Sequence, residues 1–301
     1  AGLRPVFVEC DEDLHLDLTD LARKLTDDVR AVVAVHMRGF ACDVDALRRL
    51  TDPRAIPVVE DAVPGLGAKL RGRHLGTLGV AGAFSTQSDK SLNTGEGGFV
   101  VTQSSALFAR AAVYSGAYEG RMARHFEPEE PPAEVVDTHY PIFGWRMDEI
   151  RAALARSMLR RLDQRVARHR RNYRAVAEPL AKLTRLAVRE PVAPDALLGE
   201  SLLFRLPDSR PGAAAGFARA LRAEGITCRN VGDADDRNAR AFWNWGFCFP
   251  SADVARRALP RTAATLEQTL DVPLSANLTE ADCAELVRAI TKVAEATEQR
   301  C

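Results

Sequence analysis

The 301-residue chain carries no net charge, because Lys plus Arg and Asp plus Glu both total 41. That balance removes any overall pull toward nucleic acid or an anionic membrane. No apolar run approaches the length of a membrane-spanning helix. The opening stretch, AGLRPVFVECDEDLHLDL, has neither the basic start nor the apolar core of a signal peptide. None of the six cysteines (Cys10, Cys42, Cys228, Cys248, Cys283 and Cys301) forms a C-x-x-C pair, and no histidine stands beside one at metal-ligand spacing. A metal site is therefore not expected. A chain of this length needs no disulfide scaffold, so the thiols read as reduced, in a cytoplasmic protein. Lysine is scarce as well: only Lys24, Lys69, Lys90, Lys182 and Lys292 occur, and the other basic residues are Arg. A lysine in an unusual setting is then harder to dismiss as surface charge.

What is present is an alternation of strand and helix signals. RPVFVEC (4–10) is β-rich, and 17–25 has helical spacing. AVVAVHM (31–37) and IPVVEDA (56–62) are continuous apolar runs, expected as strands buried on both faces. DVDALRRL (43–50) reads as a helix, VAGAFST (80–86) and GGFVVTQ (97–103) as strands, and 105–115 as a helix. Such alternation predicts a mostly parallel α/β sheet. The acidic, Pro-rich segment 125–141 reads as an excursion, and one long amphipathic helix is expected from about Met147 to Lys182. Its Arg-rich face is read as solvated, with an anion-binding patch as the alternative. A smaller α+β unit follows, with strands at 197–208 and 226–231 and helices at 211–225 and 279–297, the last capped by Thr279 with Glu280 beside it. AFWNWGFCF (241–249) fits the core of that unit or an aromatic wall over a site. Length and pattern together suggest two domains, 1–160 and 161–301.

Two segments carry chemistry. VVEDAVPGLGA (58–68) ends a strand in Glu60 and Asp61, at the edge where open α/β sheets place ligands. A cap would also account for Asp61. AFSTQSDKSLNTGEGGFVVT (83–102) ends a strand at Ser85, places Lys90 five residues later, and returns through TGEGG. Glycines there allow close backbone approach. A lysine in such a loop suits Schiff-base chemistry if its amine is partly desolvated, although a surface lysine is the simpler reading of that segment alone. Together, a strand-end acid, a strand-end Ser and this Lys match what a pyridoxal phosphate (PLP) site requires. The acid pairs with the ring nitrogen, the hydroxyl meets the phosphate, and the amine binds the aldehyde.

These segments resemble the DegT/StrS-type sugar and aminocyclitol aminotransferases, PLP-dependent enzymes of fold type I. The resemblance also takes in VVAVHMRGFACDVDAL (32–47), HYPIFGWRMDEIRAAL (139–154) and 259–290. It implies that Asp61 holds the pyridinium nitrogen, Ser85 contacts the phosphate, and Lys90 binds the cofactor and moves protons. It gives Arg146 a substrate or phosphate role, with an interface salt bridge as the alternative. It implies an α/β large PLP-binding domain over 1–160 that lacks the family's first segment, a small α+β domain over 161–301, and a homodimer with shared active sites. The substrates would be a small-molecule amino donor, glutamate or glutamine, and a keto-sugar, nucleotide-linked keto-sugar or keto-cyclitol. Two positions depart from the pattern. Pro64 stands where most members carry Gln, and Gly144 where many carry Asn. Pro64 keeps open a dehydratase or eliminase of the same fold, and the lack of the family's first segment, with its phosphate cradle, keeps open a non-catalytic partner subunit.

Overall fold

The computed structural model describes residues 2–117, 141–207 and 209–298. The expected excursion lies outside the described residues from 125 to 140. The chain divides into two units, Asp28–Arg165 and a second that joins Ala1–Asp27 to Val166–Cys301. The first 27 residues were expected in the large domain; they pack instead with the C-terminal part. The run 4–10 forms no strand, only an isolated bridge between Cys10 and Leu16. Its one helix, α1 (Leu18–Lys24), is capped by Asp17.

Side chains far away in sequence hold this segment. Glu9 is buried, and its carboxylate accepts from the main-chain N–H of Thr262 at 2.8 Å and of Arg261 at 3.2 Å, as well as from the Thr262 hydroxyl. The Cys10 N–H donates to the Thr262 hydroxyl at 2.8 Å. Burial pushes the Cys10 thiol up to about 11, so it is a packed hydrophobe rather than a nucleophile.

In the unit 28–165, β1 (Val32–Val35), β2 (Val58–Asp61), β5 (Ala81–Ser85) and β6 (Gly98–Val101) form one sheet in that order. β1, β2 and β5 run parallel, and β6 returns antiparallel to β5. One face carries Ala34, Val58 and Phe84 into the core, beneath α2 (Val44–Thr51) with its buried Val44 and Leu47. Phe84 stacks on its cross-strand partner Phe99 at 4.8 Å. The opposite face is open: Val33 and Val100 are each 58% exposed. β1 is therefore covered on one face only in this chain, where burial on both was expected. Between β2 and β5 a short hairpin, β3 (Lys69–Leu70) and β4 (Arg73–His74), is tied to α2 through Arg71 and Arg73, which pair with Asp43 and Asp45.

α3 (Ser105–Ser115) follows β6, capped by Ser104 and closed by Gly116 at φ +113°. The expected long helix is two, α4 (Glu149–Leu159) and α5 (Leu162–Leu180). The last turn of α4 tightens, with Arg161 N–H bonding to the Met158 carbonyl, before the helix restarts.

In the other unit, β7 (Ala187–Val188), β8 (Ser201–Arg205), β9 (Arg229–Asn230) and β10 (Thr269–Pro273) make an antiparallel sheet in the order β7-β8-β10-β9. α6 (Ala213–Ala223) sets Phe217 edge-on to Phe204, 5.8 Å between centroids. α7 (Ala252–Ala258), α8 (Pro260–Gln268) and α9 (Glu280–Glu298) complete it. Of the aromatic run 241–249, Phe242 and Trp243 are core, whereas Phe247 is 85% exposed. The Arg-rich face of α5 is only partly solvated. Arg170 donates to the carbonyls of Asp195 and Leu197 and helps hold the helix to the loop before β8.

The main-chain N–H groups of Arg261 and Thr262 lie in the first turn of α8, which has no side-chain cap of its own. Glu9 satisfies them from the far end of the chain. Glu9→Ala is expected to lower the unfolding free energy by about 2 kcal/mol, read as a lower urea midpoint. An unchanged midpoint would contradict this account of the N-terminal segment.

Candidate active site

β2 ends in two acids that point to opposite faces. Glu60 is in phase with Val58 and points into the core, where neither its side chain nor that of His36 has any exposed surface. Its Oε2 meets His36 Nε2 at 2.9 Å and the Gly76 N–H at 2.7 Å. Its Oε1 accepts from the N–H groups of Leu78 and Gly79, at 2.6 and 2.7 Å. His36 Nδ1 accepts from the Cys42 N–H at 3.1 Å. A nitrogen that accepts carries no proton, so Nε2 bears it and donates to Glu60. Burial pulls the Glu60 carboxyl upward, but His36 and the amides of Gly79 and Gly76 outweigh it and hold the group below its ordinary value. Gly76 has φ +85°, and a Cβ there would lie 2.4 Å from Phe84 Cζ. Only glycine brings that amide onto the carboxylate.

Asp61 is in phase with Val59 and lies on the open face. Its register partner is Ala83, and Ser85 stands two residues further along β5 on the same face. Strand geometry puts the two Cα atoms on the order of 8 Å apart. Asp61 Oδ1 accepts from the Val63 N–H at 3.2 Å, and Oδ2 has no donor among the described residues. Ser85 Oγ accepts from the Gln87 N–H at 3.2 Å, which leaves its own hydrogen free to donate elsewhere.

Lys90 sits on a loop bonded at its base and again around Lys90 itself, whose N–H donates to the Gln87 carbonyl at 3.0 Å, while Asn93 Nδ2 donates to the Ser88 carbonyl at 2.6 Å. Thr86 N–H bonds to the Gly97 carbonyl at 3.0 Å, and Thr94 returns to Thr86 through both its N–H and its hydroxyl. Gly97, at φ +137°, could take no Cβ without meeting Thr86 Oγ1 at 2.8 Å. The Lys90 Nζ lies 3.5 Å from an exposed Asp89 carboxylate, a weak tie. Lys90 is thus held by its backbone while its side chain can swing.

Arg146 is exposed, on a segment that runs along the end of α3, with Phe143 N–H to the Tyr114 carbonyl and Trp145 N–H to the Ser115 carbonyl. Its neighbour Met147 reaches the Gly97 turn, where an added Cβ would meet Met147 Cε at 3.0 Å. Arg146 itself lies against Gly116. The geometry therefore joins Asp61 and Ser85 on one face, sets Lys90 on the loop leaving that face, and leaves Arg146 on the segment beside that loop. Pro64 lies in a turn closed by Gly65 N–H to the Ala62 carbonyl, and a Cβ at Gly144 would meet open space. The His36–Glu60 pair was missed in the sequence, although Glu60 in phase with the apolar Val58 was its signal.

A family model, the DegT/DnrJ/EryC1/StrS aminotransferase family, matches residues 1–291. The chain belongs to that family. GDP-perosamine synthase of Escherichia coli O157:H7 is 30% identical over 171 residues, 56% of this chain and 44% of that protein. The chain thus spans under half the length of this curated relative. An aminotransferase from Psychrobacter cryohalolentis superimposes with a TM-score of 0.81 at 26% identity, over 98% of this chain and 76% of that one. DesI, solved in the presence of its TDP-sugar product, gives 0.71 at 26% identity, over 100% and 73%. The fold is fold type I of the PLP-dependent aminotransferases. No helix of the described residues is long and apolar enough to cross a membrane.

Because the folded Glu60 carboxyl is depressed below its unfolded value, its contribution to this family member's stability is present above the unfolded pKa and lost as pH falls through the folded one. Glu60→Gln is expected to lower stability by about 3 kcal/mol at neutral pH. The wild type should then fall toward the variant as pH drops from about 5 to 3. Urea midpoints across that range read the difference, and parallel curves would contradict the assignment.

Proposed function

We propose that the chain forms the core of a PLP-dependent aminotransferase. It would move an amino group from glutamate or glutamine to the keto group of a sugar, a nucleotide-linked sugar or a cyclitol. The observation that carries this reading is the pairing of an open Asp61 Oδ2 with the Ser85 hydroxyl on one face, beside the Gly-lined Lys90 loop. The family supports it, as do the relatives named for amino sugars or solved with a TDP-sugar product.

The residues present fit the cofactor. When bound, PLP supplies an aldehyde that takes up an amino group and a ring that draws electrons from the donor's α-carbon. Asp61 would hold a proton on the ring nitrogen through Oδ2. Its place at a strand end, braced by Val63, keeps it there without reorganisation. Ser85 would donate its hydrogen to a phosphate oxygen. Lys90 Nζ, on a side chain that can swing, would take the proton from the donor's α-carbon and return it on the other side of the transfer. In the second half the same moves run in reverse toward the keto acceptor, whose oxygen leaves as water. The open apolar face around Val33, Val35 and Val100 would keep water from the charged groups once covered.

Incubating the holoenzyme with glutamate should release one equivalent of 2-oxoglutarate per bound cofactor with no acceptor added. No release from either donor would overturn the reading. Asp61→Asn should still bind PLP but slow this half-reaction roughly 100-fold or more; a near-normal rate would remove Asp61 from the site.

A homodimer with shared sites belongs to the same proposal. α4 buries none of its residues, although Ile150, Leu154 and Leu159 are 77%, 51% and 44% exposed. An 11-residue helix is marginal without packing, and a second copy would supply it. Arg146, just before α4, would then act on the partner's phosphate or substrate. Mixed Lys90→Ala and Arg146→Ala chains should regain activity after subunit exchange. No recovery despite confirmed exchange, or a monomer at micromolar concentration, would count against shared sites.

A further inference from the structure

No step of the proposed reaction uses His36 or Glu60, yet the chain buries both completely. A buried carboxylate is seldom retained for stability alone, since well-packed apolar residues serve as well. Its connections point to another role. The His36 main-chain N–H donates to the Asp61 carbonyl at 3.1 Å, from the β1 side. On the β5 side, the Ala62 N–H donates to the Ala83 carbonyl at 3.0 Å. Between those two bonds, Glu60 gathers the amides of Gly76, Leu78 and Gly79 beneath the strand end. The His36 ring ties Glu60 in turn to the Cys42 N–H. Among the described residues the Asp61 side chain has one bond of its own, to Val63, so its direction depends on the backbone these groups fix.

We propose that His36 and Glu60 are positioning residues for Asp61, the buried pair setting the end of β2 so that Oδ2 stands where a cofactor's ring nitrogen meets it. The inference rests on the PLP reading above. It requires the imidazole to accept at Nδ1 and donate at Nε2 together, which the neutral ring does. An outer partner that orients an inner group through one ring nitrogen while the other is anchored is a recurring device, and its loss typically costs 10- to 100-fold in affinity or activity at metal sites.

PLP labelled with 15N in the ring provides the test. It is bound to the wild type and to the His36→Leu, His36→Gln and Glu60→Gln variants. The 15N shift reads the fraction of protonated ring nitrogen, and fluorescence titration reads the Kd. The wild type should show a protonated nitrogen. His36→Leu and Glu60→Gln should shift it toward neutral and weaken binding by about 10-fold or more. His36→Gln, which keeps an N–H donor toward Glu60, should restore most of the protonated signal. If His36→Leu does not fold, Glu60→Gln carries the same reading. Variants that melt earlier but hold PLP with the wild-type shift overturn the proposal, because the pair would then be structural only. A wild type that leaves PLP unbound, or holds it unprotonated, overturns the Asp61 assignment itself, and the two failures are distinct.

Discussion

A carboxylate without access to water must find all its partners within the protein, and Glu60 finds them in two separate stretches of chain, at His36 and at 76–79. That requirement propagates. It places a glycine at 76, because the amide must approach where Phe84 leaves no room for a Cβ. It places another at 79, where a Cβ would lie 2.3 Å from the Val58 carbonyl oxygen. It selects one tautomer of His36 and so fixes the turn after β1. Strand alternation then carries the next residue, Asp61, to the opposite face. One acid is held by structure, and its neighbour's Oδ2 meets no donor among the described residues.

The remaining parts differ in how tightly they are held. The strand ends with Asp61 and Ser85 belong to a hydrogen-bonded ladder. The Lys90 loop is closed at Thr86, Thr94 and Gly97 and tied again between Gln87 and Lys90 and between Ser88 and Asn93. In the proposed reaction Lys90 would act as the base from this backbone-held loop. The segment 143–147 joins the loop base through Met147 and then enters α4, whose apolar residues face outward. In the other unit, the opening residues are held by Glu9 and Cys10 against α8, and their role is structural.

Local pattern made much of this legible. The apolar runs at 31–37, 56–62, 80–86 and 97–103 became β1, β2, β5 and β6, because short β-rich runs between turn residues have little else to form. Asp61 and Ser85 stood out as strand ends, and Lys90 as the lysine of the loop that follows the second. What depends on distant partners was not legible. Residues 4–10 look like a strand but find no strand to pair with. Their packing with the C-terminal part rests on Glu9 meeting Thr262, 253 positions away. The break at Arg160 and Arg161 has no Gly or Pro to announce it. The His36–Glu60 pair joins residues 24 apart that are adjacent only once β1 and β2 lie side by side.

In the proposed enzyme the loop after β5 presents the lysine that takes PLP, beside the face that carries Asp61. Borohydride reduction of the holoenzyme followed by peptide mapping tests it directly. The expected result is a visible cofactor band that reduction removes, and a pyridoxyl label on Lys90. A label on Lys69, or a protein that stays colourless with PLP and takes up no label, would contradict it.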